Sequence, residues 1–180
     1  MALRRHVSRE SAPADRGYGF GAACADAVAV TVATYRRLFQ EAAGLGRDAV
    51  LAAGDIVGFG LDAELVDELE GLAAGAGQDV RELLAINART ELLAGTQAGG
   101  ECSLLGRCDA RAGAWLAQTW DWHPDLAAAA VAWTVSYDDT WFTTVTEAGL
   151  LAKLGFNRRG VACGLNFLTC SEDGGVDGVP

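Results

Sequence analysis

The sequence predicts an α+β protein that is mainly helical in its N-terminal half and mainly β after it. In the first part, large apolar residues recur at steps of three and four, as on the buried face of a helix. After the glycine-rich stretch 95–100, short runs rich in Val, Thr, Trp and Leu alternate with turn residues. This change of composition divides the chain into a helical segment, 1–101, and a β-rich segment, 102–180.

Three helices are expected in the helical segment. The first covers 22–43 and ends at one of the glycines that follow it. The second covers 62–74, with Asp62 as its N-cap, and the third covers 79–89. Charged residues fall mostly between the apolar positions of the first helix, so it should bury one face and expose the other.

Six strands are expected in the β-rich segment, joined in sequence as an antiparallel meander. Their ranges are 102–108, 114–119, 129–137, 141–146, 150–156 and 161–168. The last ten residues form an acidic, glycine-rich loop, and six strands with an exposed face need a covering layer. We therefore expect the domain to be incomplete at its C-terminus.

The charge balance excludes several functional classes. With 14 Lys and Arg against 24 Asp and Glu, the net charge is −10, which argues against nucleic-acid binding. The longest uncharged stretches, 126–137 and 160–171, are too short to cross a bilayer. Because residues 1–10 carry arginines without an apolar core, no secretory signal is expected either. These observations predict no membrane partner and a cytoplasmic location.

The cysteine and histidine content limits the chemistry further. The five cysteines are an odd number and form no C-x-x-C pair, so neither a disulfide framework nor a zinc knuckle is expected. Only two histidines, His6 and His123, are present, which excludes a histidine-based metal centre. The sequence therefore predicts neither a metal nor another cofactor.

Cys102 is the candidate nucleophile. It follows the glycine-rich stretch, opens a predicted strand and precedes Ser103. His6 is expected in a disordered tail, which leaves His123 as the histidine that could serve as its base. Breaking the peptide bond before Cys102 would instead free an α-amine. Its ordinary pKa of about 7.7–8.0 lies close to the thiol value of about 8.5.

Short stretches along the chain carry a resemblance to a known family. They are 16–22, 87–91, 100–103, 118–122, 147–149, 153–161 and 165–167. In this order they resemble the autoproteolytic acyl-coenzyme A:6-aminopenicillanic acid acyltransferase family, which is related to the choloylglycine hydrolases. The resemblance implies the four-layer αββα fold of N-terminal-nucleophile hydrolases. It also implies a zymogen that cleaves itself between Glu101 and Cys102, leaving a small subunit, 1–101, bound to a large one.

The resemblance also implies roles for individual residues. Cys102 matches the nucleophile and new N-terminus, Asp121 matches a carboxylate that holds the freed ammonium, and Asn166 matches an oxyanion-hole amide. Gln118 stands where the bile-salt enzymes carry an arginine, and together with Trp120 it is a candidate for substrate binding. From their residue types alone, Asp121 could instead cap a turn, Asn166 could satisfy backbone groups, and Trp120 could belong to the core.

The implied function is that of a self-processing acyltransferase or amidohydrolase working through a thioester. Its partners would be a small-molecule acyl donor, either acyl-CoA or an N-acyl amide, and an amine acceptor. Three alternatives stay open: a hydrolase of N-acyl amides only, a non-catalytic relative that serves as a binding module, and a cysteine hydrolase that uses His123 as base.

Overall fold

The computed structural model describes residues 3–94, 96, 102–111, 113–137 and 139–166. Within these ranges the protein contains both helices and strands, so the α+β class is confirmed. The elements are, in chain order, β1 (Arg4–Ser8), α1 (Pro13–Ala23), α2 (Ala25–Ala43), α3 (Arg47–Gly60), α4 (Ala63–Ala76), α5 (Val80–Asn87), α6 (Arg89–Leu92), β2 (Leu104–Asp109), β3 (Gly113–Gln118), a 3₁₀ helix (Pro124–Ala129), β4 (Ala130–Tyr137), β5 (Thr140–Glu147), β6 (Leu154–Asn157) and β7 (Ala162–Cys163).

The strands form two sheets. The larger has the order β1-β4-β5-β6-β7, and the smaller is the β2–β3 hairpin. From β4 to β7 the neighbours are antiparallel, as predicted, whereas β1 runs parallel to β4 with His6 opposite Trp133. The single six-stranded meander predicted from the sequence is therefore wrong, because β2 and β3 pair only with each other among the described strands. The predicted strand 161–168 extends beyond the described residues.

Strand β1 corrects the expectation that His6 lies in a disordered tail. Its sequence, Arg-Arg-His-Val-Ser, has no apolar alternation, so its pairing depends on a partner more than a hundred residues away. The ring of His6 lies 5.4 Å from that of Phe20 in an edge-to-face contact. Tertiary contacts, not local sequence preference, therefore hold this strand in place.

The helices follow their capping signals more closely than their predicted lengths. Asp62 caps α4 by accepting a hydrogen bond from Glu64 N, 2.9 Å away, as expected. The predicted helix 22–43 is divided at Cys24, and α2 then ends at Gly44 with a φ of 68°. The glycine-rich helices α1 and α3 were not predicted at their observed extents. Among the described helices, none has the length and apolarity needed to cross a membrane.

Glycines in α1 and α4 let the two backbones approach closely. A Cβ on Gly17 would lie 1.9 Å from the carbonyl oxygen of Glu68, and one on Gly71 would lie 2.0 Å from that of Ala14. The guanidinium of Arg16 forms two hydrogen bonds, of 2.8 and 2.7 Å, with the carboxylate of Glu68 in the same interface. In the α1–α4 interface, small residues and a buried ion pair thus take the place of an apolar stripe. The spacing of large apolar residues therefore did not predict α1.

The helices pack against one face of the larger sheet. Alternate residues of β4, Val131, Trp133 and Val135, are buried. The indole of Trp133 stacks on Phe20 of α1 at a centroid distance of 4.0 Å and donates a hydrogen bond to Ser8. This face therefore has a helical layer on a sheet. The second sheet and second helical layer of the αββα arrangement remain predictions.

Candidate active site

Cys102 lies just before β2, in a segment that is held against the end of β3. The backbone N–H of Thr119 donates to the carbonyl oxygen of Ser103 at 2.9 Å, and Ser103 N donates to the Thr119 hydroxyl at 3.0 Å. Leu104 then pairs with Gln118 as the first register position of the hairpin. These bonds fix the position of Cys102, which is a partly buried free thiol.

The side chain of Gln118 holds a third segment against this hairpin. Its amide oxygen accepts a hydrogen bond from Leu165 N at 2.9 Å, and its amide nitrogen donates to the Leu165 carbonyl oxygen. The side-chain amide of Gln118 thus bonds both backbone groups of Leu165, as a neighbouring strand would. In this geometry Gln118 positions the chain, and its predicted role in substrate binding stays a prediction.

Asn166 follows directly after this clamped residue. The neighbouring Gly164 packs so closely on the hairpin that an added Cβ would lie 2.5 Å from Cδ1 of Leu104. Asn166 is half-buried, and its side-chain oxygen is buried without a hydrogen-bond partner among the described residues. The structure thus brings the segments carrying Cys102 and Asn166 to the same end of the β2–β3 hairpin.

Asp121 borders a cleft of about 610 Å³ beside the chain that follows β3. Trp120, Trp122 and the carboxylate-bearing Glu147 also line it. Asp121 is exposed, whereas the flanking tryptophans are partly buried. Of the predicted site residues that the structure describes, Trp120 and Asp121 line this cleft and Cys102 does not.

A buried polar network lies at the inner side of the cleft. The hydroxyl of Tyr35 donates to Glu147 Oε2 at 2.8 Å and accepts from the indole N–H of Trp122 at 3.0 Å. The other carboxylate oxygen, Oε1, accepts from Lys153 Nζ at 2.8 Å. Burial, together with the negative charge of Glu147, raises the pKa of Tyr35. The hydroxyl therefore stays protonated and acts as a donor to the carboxylate.

Lys153 is the titratable member of this network. Its side chain is 7% exposed, and its Nζ lies 4.1 Å from the centroid of the Trp120 ring. Burial and the nearby positive charge of Arg89 lower the pKa of Lys153 to about 8, although the negative charges of Glu147 and Cys102 act in the opposite direction. An amine with this pKa can both accept and release a proton near neutral pH.

Asn87 anchors the turn that carries these charged groups. Its side-chain nitrogen donates to the carbonyl oxygens of Leu83 and Gly149, at 2.8 and 3.1 Å, and its oxygen accepts from Leu151 N at 3.1 Å. Gly149 adopts a φ of 110°, which a side chain would strain. The stretches 87–91 and 147–149, which carried part of the family resemblance, thus meet in space.

Both histidines make structural contacts. His6 lies in β1, and His123 caps the 3₁₀ helix by accepting a hydrogen bond from Asp125 N at 3.3 Å. His123 also lines the cleft beside Asp121. Within the described ranges, no group of three or more His, Cys, Asp or Glu side chains could hold a metal ion.

The predicted site residues did not include Tyr35, Glu147 or Lys153. One available signal was that Lys153 is the only lysine in the sequence, all other basic side chains being arginine. The sequence does not show that Tyr35 and Glu147 form a buried network with Lys153. These two residues are 112 positions apart and meet only because α2 packs on β5. Glu101, the first residue of the predicted cleavage bond, lies outside the described residues.

Comparison with known proteins shows a distant relationship to an acyltransferase. No family model matches the chain. It is 33% identical over 104 residues to the 40 kDa form of an acyl-coenzyme A:6-aminopenicillanic-acid-acyltransferase from Emericella nidulans. The match covers 57% of this chain and 29% of that protein, so the chain spans less than a third of the relative's length. The similarity favours an enzyme of the acyltransferase type in general.

Proposed function

We propose that the chain is part of a self-processing cysteine acyltransferase that works through a thioester. The observation that carries this proposal is the meeting of the Cys102 and Asn166 segments at one end of a hairpin. The paired bonds between Ser103 and Thr119 hold the first segment, and the amide of Gln118 holds the second. The distant similarity to an acyltransferase supports the same class of reaction.

The nucleophile in this proposal is the sulfur of Cys102. Its attack on the carbonyl carbon of Glu101 would transfer the acyl part of that bond to sulfur and free the α-amine. Water would then hydrolyse the thioester and leave Cys102 as the first residue of a new chain. In the mature enzyme the same sulfur would take the acyl group of an acyl-CoA or an N-acyl amide. The α-amine would carry the proton.

Asp121 and Asn166 would stabilise the charges that this chemistry creates. The exposed carboxylate of Asp121 would attract the ammonium formed when the α-amine accepts a proton. The amide N–H groups of Asn166 would donate to the tetrahedral oxyanion without adding a charge of their own. The side-chain oxygen of Asn166 makes no hydrogen bond to the described residues.

The cleft beside Asp121 would accommodate the acyl group. The aromatic rings of Trp120 and Trp122 and the side chain of Leu126 provide apolar walls. Transfer of the thioester to an amine would give the acyltransferase product, and transfer to water would give hydrolysis. Supplying an acyl-CoA with and without an amine acceptor, and measuring both products by chromatography, separates these outcomes.

Mass spectrometry of the expressed protein tests self-processing directly. We expect the wild type to yield a fragment whose N-terminal residue is Cys102, and Cys102→Ala to remain intact. Cys108→Ala is the matched control, because Cys108 is an exposed cysteine of the same hairpin and should not affect cleavage. An intact wild-type chain, or a Cys102→Ala variant cleaved at the same bond, would refute the proposal.

A further inference from the structure

The single lysine of this protein occupies a buried position. Lys153 is 7% exposed and paired with the fully buried carboxylate of Glu147 at 2.8 Å. An arginine here would remain protonated at every relevant pH, whereas a buried lysine can lose its proton. All other basic side chains except the two histidines are arginines, so the one side-chain ammonium of the protein lies in the interior.

The fold brings this amine close to the nucleophile's segment. Lys153 Nζ lies over the ring of Trp120 at 4.1 Å. Trp120 follows Thr119 in the chain, and Thr119 forms two hydrogen bonds with Ser103, the residue after Cys102. The negative charge of Cys102 also contributes to the electrostatic environment of Lys153. The segment that carries the thiol therefore lies beside the residue that packs on the amine.

We propose that Lys153 accepts the thiol proton of Cys102 in the self-cleavage step. The inference rests on the proposed function, and it addresses a step that the α-amine cannot perform. Before cleavage that nitrogen belongs to the peptide bond between Glu101 and Cys102, so it has no basic lone pair. The self-cleavage step therefore needs a different base. The lowered pKa of Lys153, about 8, is close to the ordinary pKa of a thiol, about 8.5, so a proton can pass between the two groups.

The step balances without any further reactant. Neutral Nζ of Lys153 takes the proton from Sγ of Cys102, and the sulfur lone pair forms a bond to the carbonyl carbon of Glu101. The carbon–nitrogen bond then breaks, and the leaving nitrogen takes the proton from Nζ. The products are a thioester and a free α-amine. Lys153 returns to its neutral form.

Charged and titratable groups from several elements face Lys153. They are Glu147 of β5, Arg89 of α6 and Cys102 before β2, while Tyr35 of α2 donates to the same carboxylate. Arg89 favours the neutral amine, and Glu147 and Cys102 favour the ammonium. Because the neutral amine is the active form, cleavage should accelerate as pH rises through about 8 and then level off.

The first experiment follows cleavage during cell-free synthesis, where the precursor can be pulse-labelled and chased. We expect the rate to fall by about 10²-fold or more in both Lys153→Met and Lys153→Arg. The arginine variant keeps the positive charge beside Glu147 but cannot accept a proton. Wild-type rates in Lys153→Arg would overturn the inference and leave self-processing intact. An intact wild type would overturn both.

A double variant separates lost catalysis from lost folding. Glu147→Gln/Lys153→Met removes both charges, so no unpaired ion stays buried. We expect it to match the wild type in circular dichroism and to remain uncleaved. Cleavage of this variant at the wild-type rate would overturn the inference.

The second experiment tests the coupling of the two groups without cleavage. Because the sequence has one lysine, ¹³C-lysine labelling gives a single set of side-chain NMR signals whose pH titration reports Lys153. In variants that cannot cleave, we expect a higher titration midpoint in Cys102→Asp than in Cys102→Ala, because a carboxylate favours the ammonium. As the control, Cys108→Asp in the Cys102→Ala background should leave the midpoint unchanged, because Cys108 is exposed and lies at the opposite end of the hairpin from Cys102. Equal midpoints at position 102 would overturn the inference.

Discussion

The buried lysine predicts a specific pH dependence of stability. Lys153 has an ordinary pKa of 10.5, which applies to the unfolded chain, and a pKa of about 8 in the folded protein. Between these values the unfolded chain holds a proton that the folded protein has released. The free energy of unfolding should therefore increase as pH rises from about 8 towards 10.5, and the cost of burying the ammonium is fully present below about pH 8.

The size of the effect follows from the shift. Each unit of pKa corresponds to about 1.4 kcal/mol, so the full contribution is about 3 kcal/mol. The measurement is urea unfolding, followed by tryptophan fluorescence, at steps between about pH 8 and 10. Glu147→Gln/Lys153→Met is the reference, and both proteins carry Cys102→Ala so that neither is cleaved. The subtraction cancels the titration of the cysteines that both proteins contain.

The two proteins should diverge with increasing pH, the one that keeps Lys153 gaining stability relative to the reference. A difference that stays constant over this range would show that Lys153 titrates at its ordinary pKa. The amine would then be exposed to water in solution. The buried network of Tyr35, Glu147 and Lys153 would be wrong, and the proposed proton acceptor would lose its physical basis.

Two further predictions concern the packing around the site. Gly71→Ala places a Cβ 2.0 Å from the carbonyl oxygen of Ala14 and should lower the free energy of unfolding by about 1–3 kcal/mol. Gly60→Ala is the control, because the space around Gly60 is open and its stability should not change. Thermal melts compare the two variants, and equal melting temperatures would contradict the close approach of α1 and α4. Tyr35→Phe leaves one oxygen of Glu147 without its hydrogen-bond donor and should lower the free energy of unfolding by about 1–3 kcal/mol. Urea unfolding measures this change, and an unchanged midpoint would contradict the Tyr35–Glu147 hydrogen bond.

Local signals in the sequence were sufficient for several elements. The carboxylate of Asp62 marked the start of α4, and the apolar stripe from Val28 to Phe39 identified α2. Strands β4 and β5 were visible as runs of β-branched and aromatic residues around a two-residue turn signal. In each case the stabilising interaction is formed by residues near one another in the chain, so the sequence pattern contains the information.

Long-range pairing limited the rest of the fold. Strand β1 needs β4 as its parallel partner, and α1 needs the glycines of α4 to let it approach. The separation of the β2–β3 hairpin from the larger sheet also depends on which distant strands compete for each edge. None of these choices leaves a periodic trace in the sequence, which is why β1 and the separation of the β2–β3 hairpin from the larger sheet were missed.

The candidate site shows the same division. Cys102 is predicted as the nucleophile from its position after the glycine-rich stretch, and the resemblance implies roles for Asp121 and Asn166. The clamp that Gln118 forms on Leu165 and the burial of Lys153 against Glu147 could not be identified, because both depend on side chains meeting across distant segments. What the sequence did contain was the identity of the single lysine, and only the structure explains its position.

The most direct test of the central claim is to trap the acyl group on sulfur. The protein is incubated with an acyl-CoA, quenched at low pH and digested, and the peptides are analysed by mass spectrometry. We expect a hydroxylamine-sensitive acyl adduct on Cys102 that is absent from Cys102→Ala and undiminished in Cys163→Ala. An unmodified Cys102, or equal acylation of the exposed Cys108 and Cys163, would contradict it.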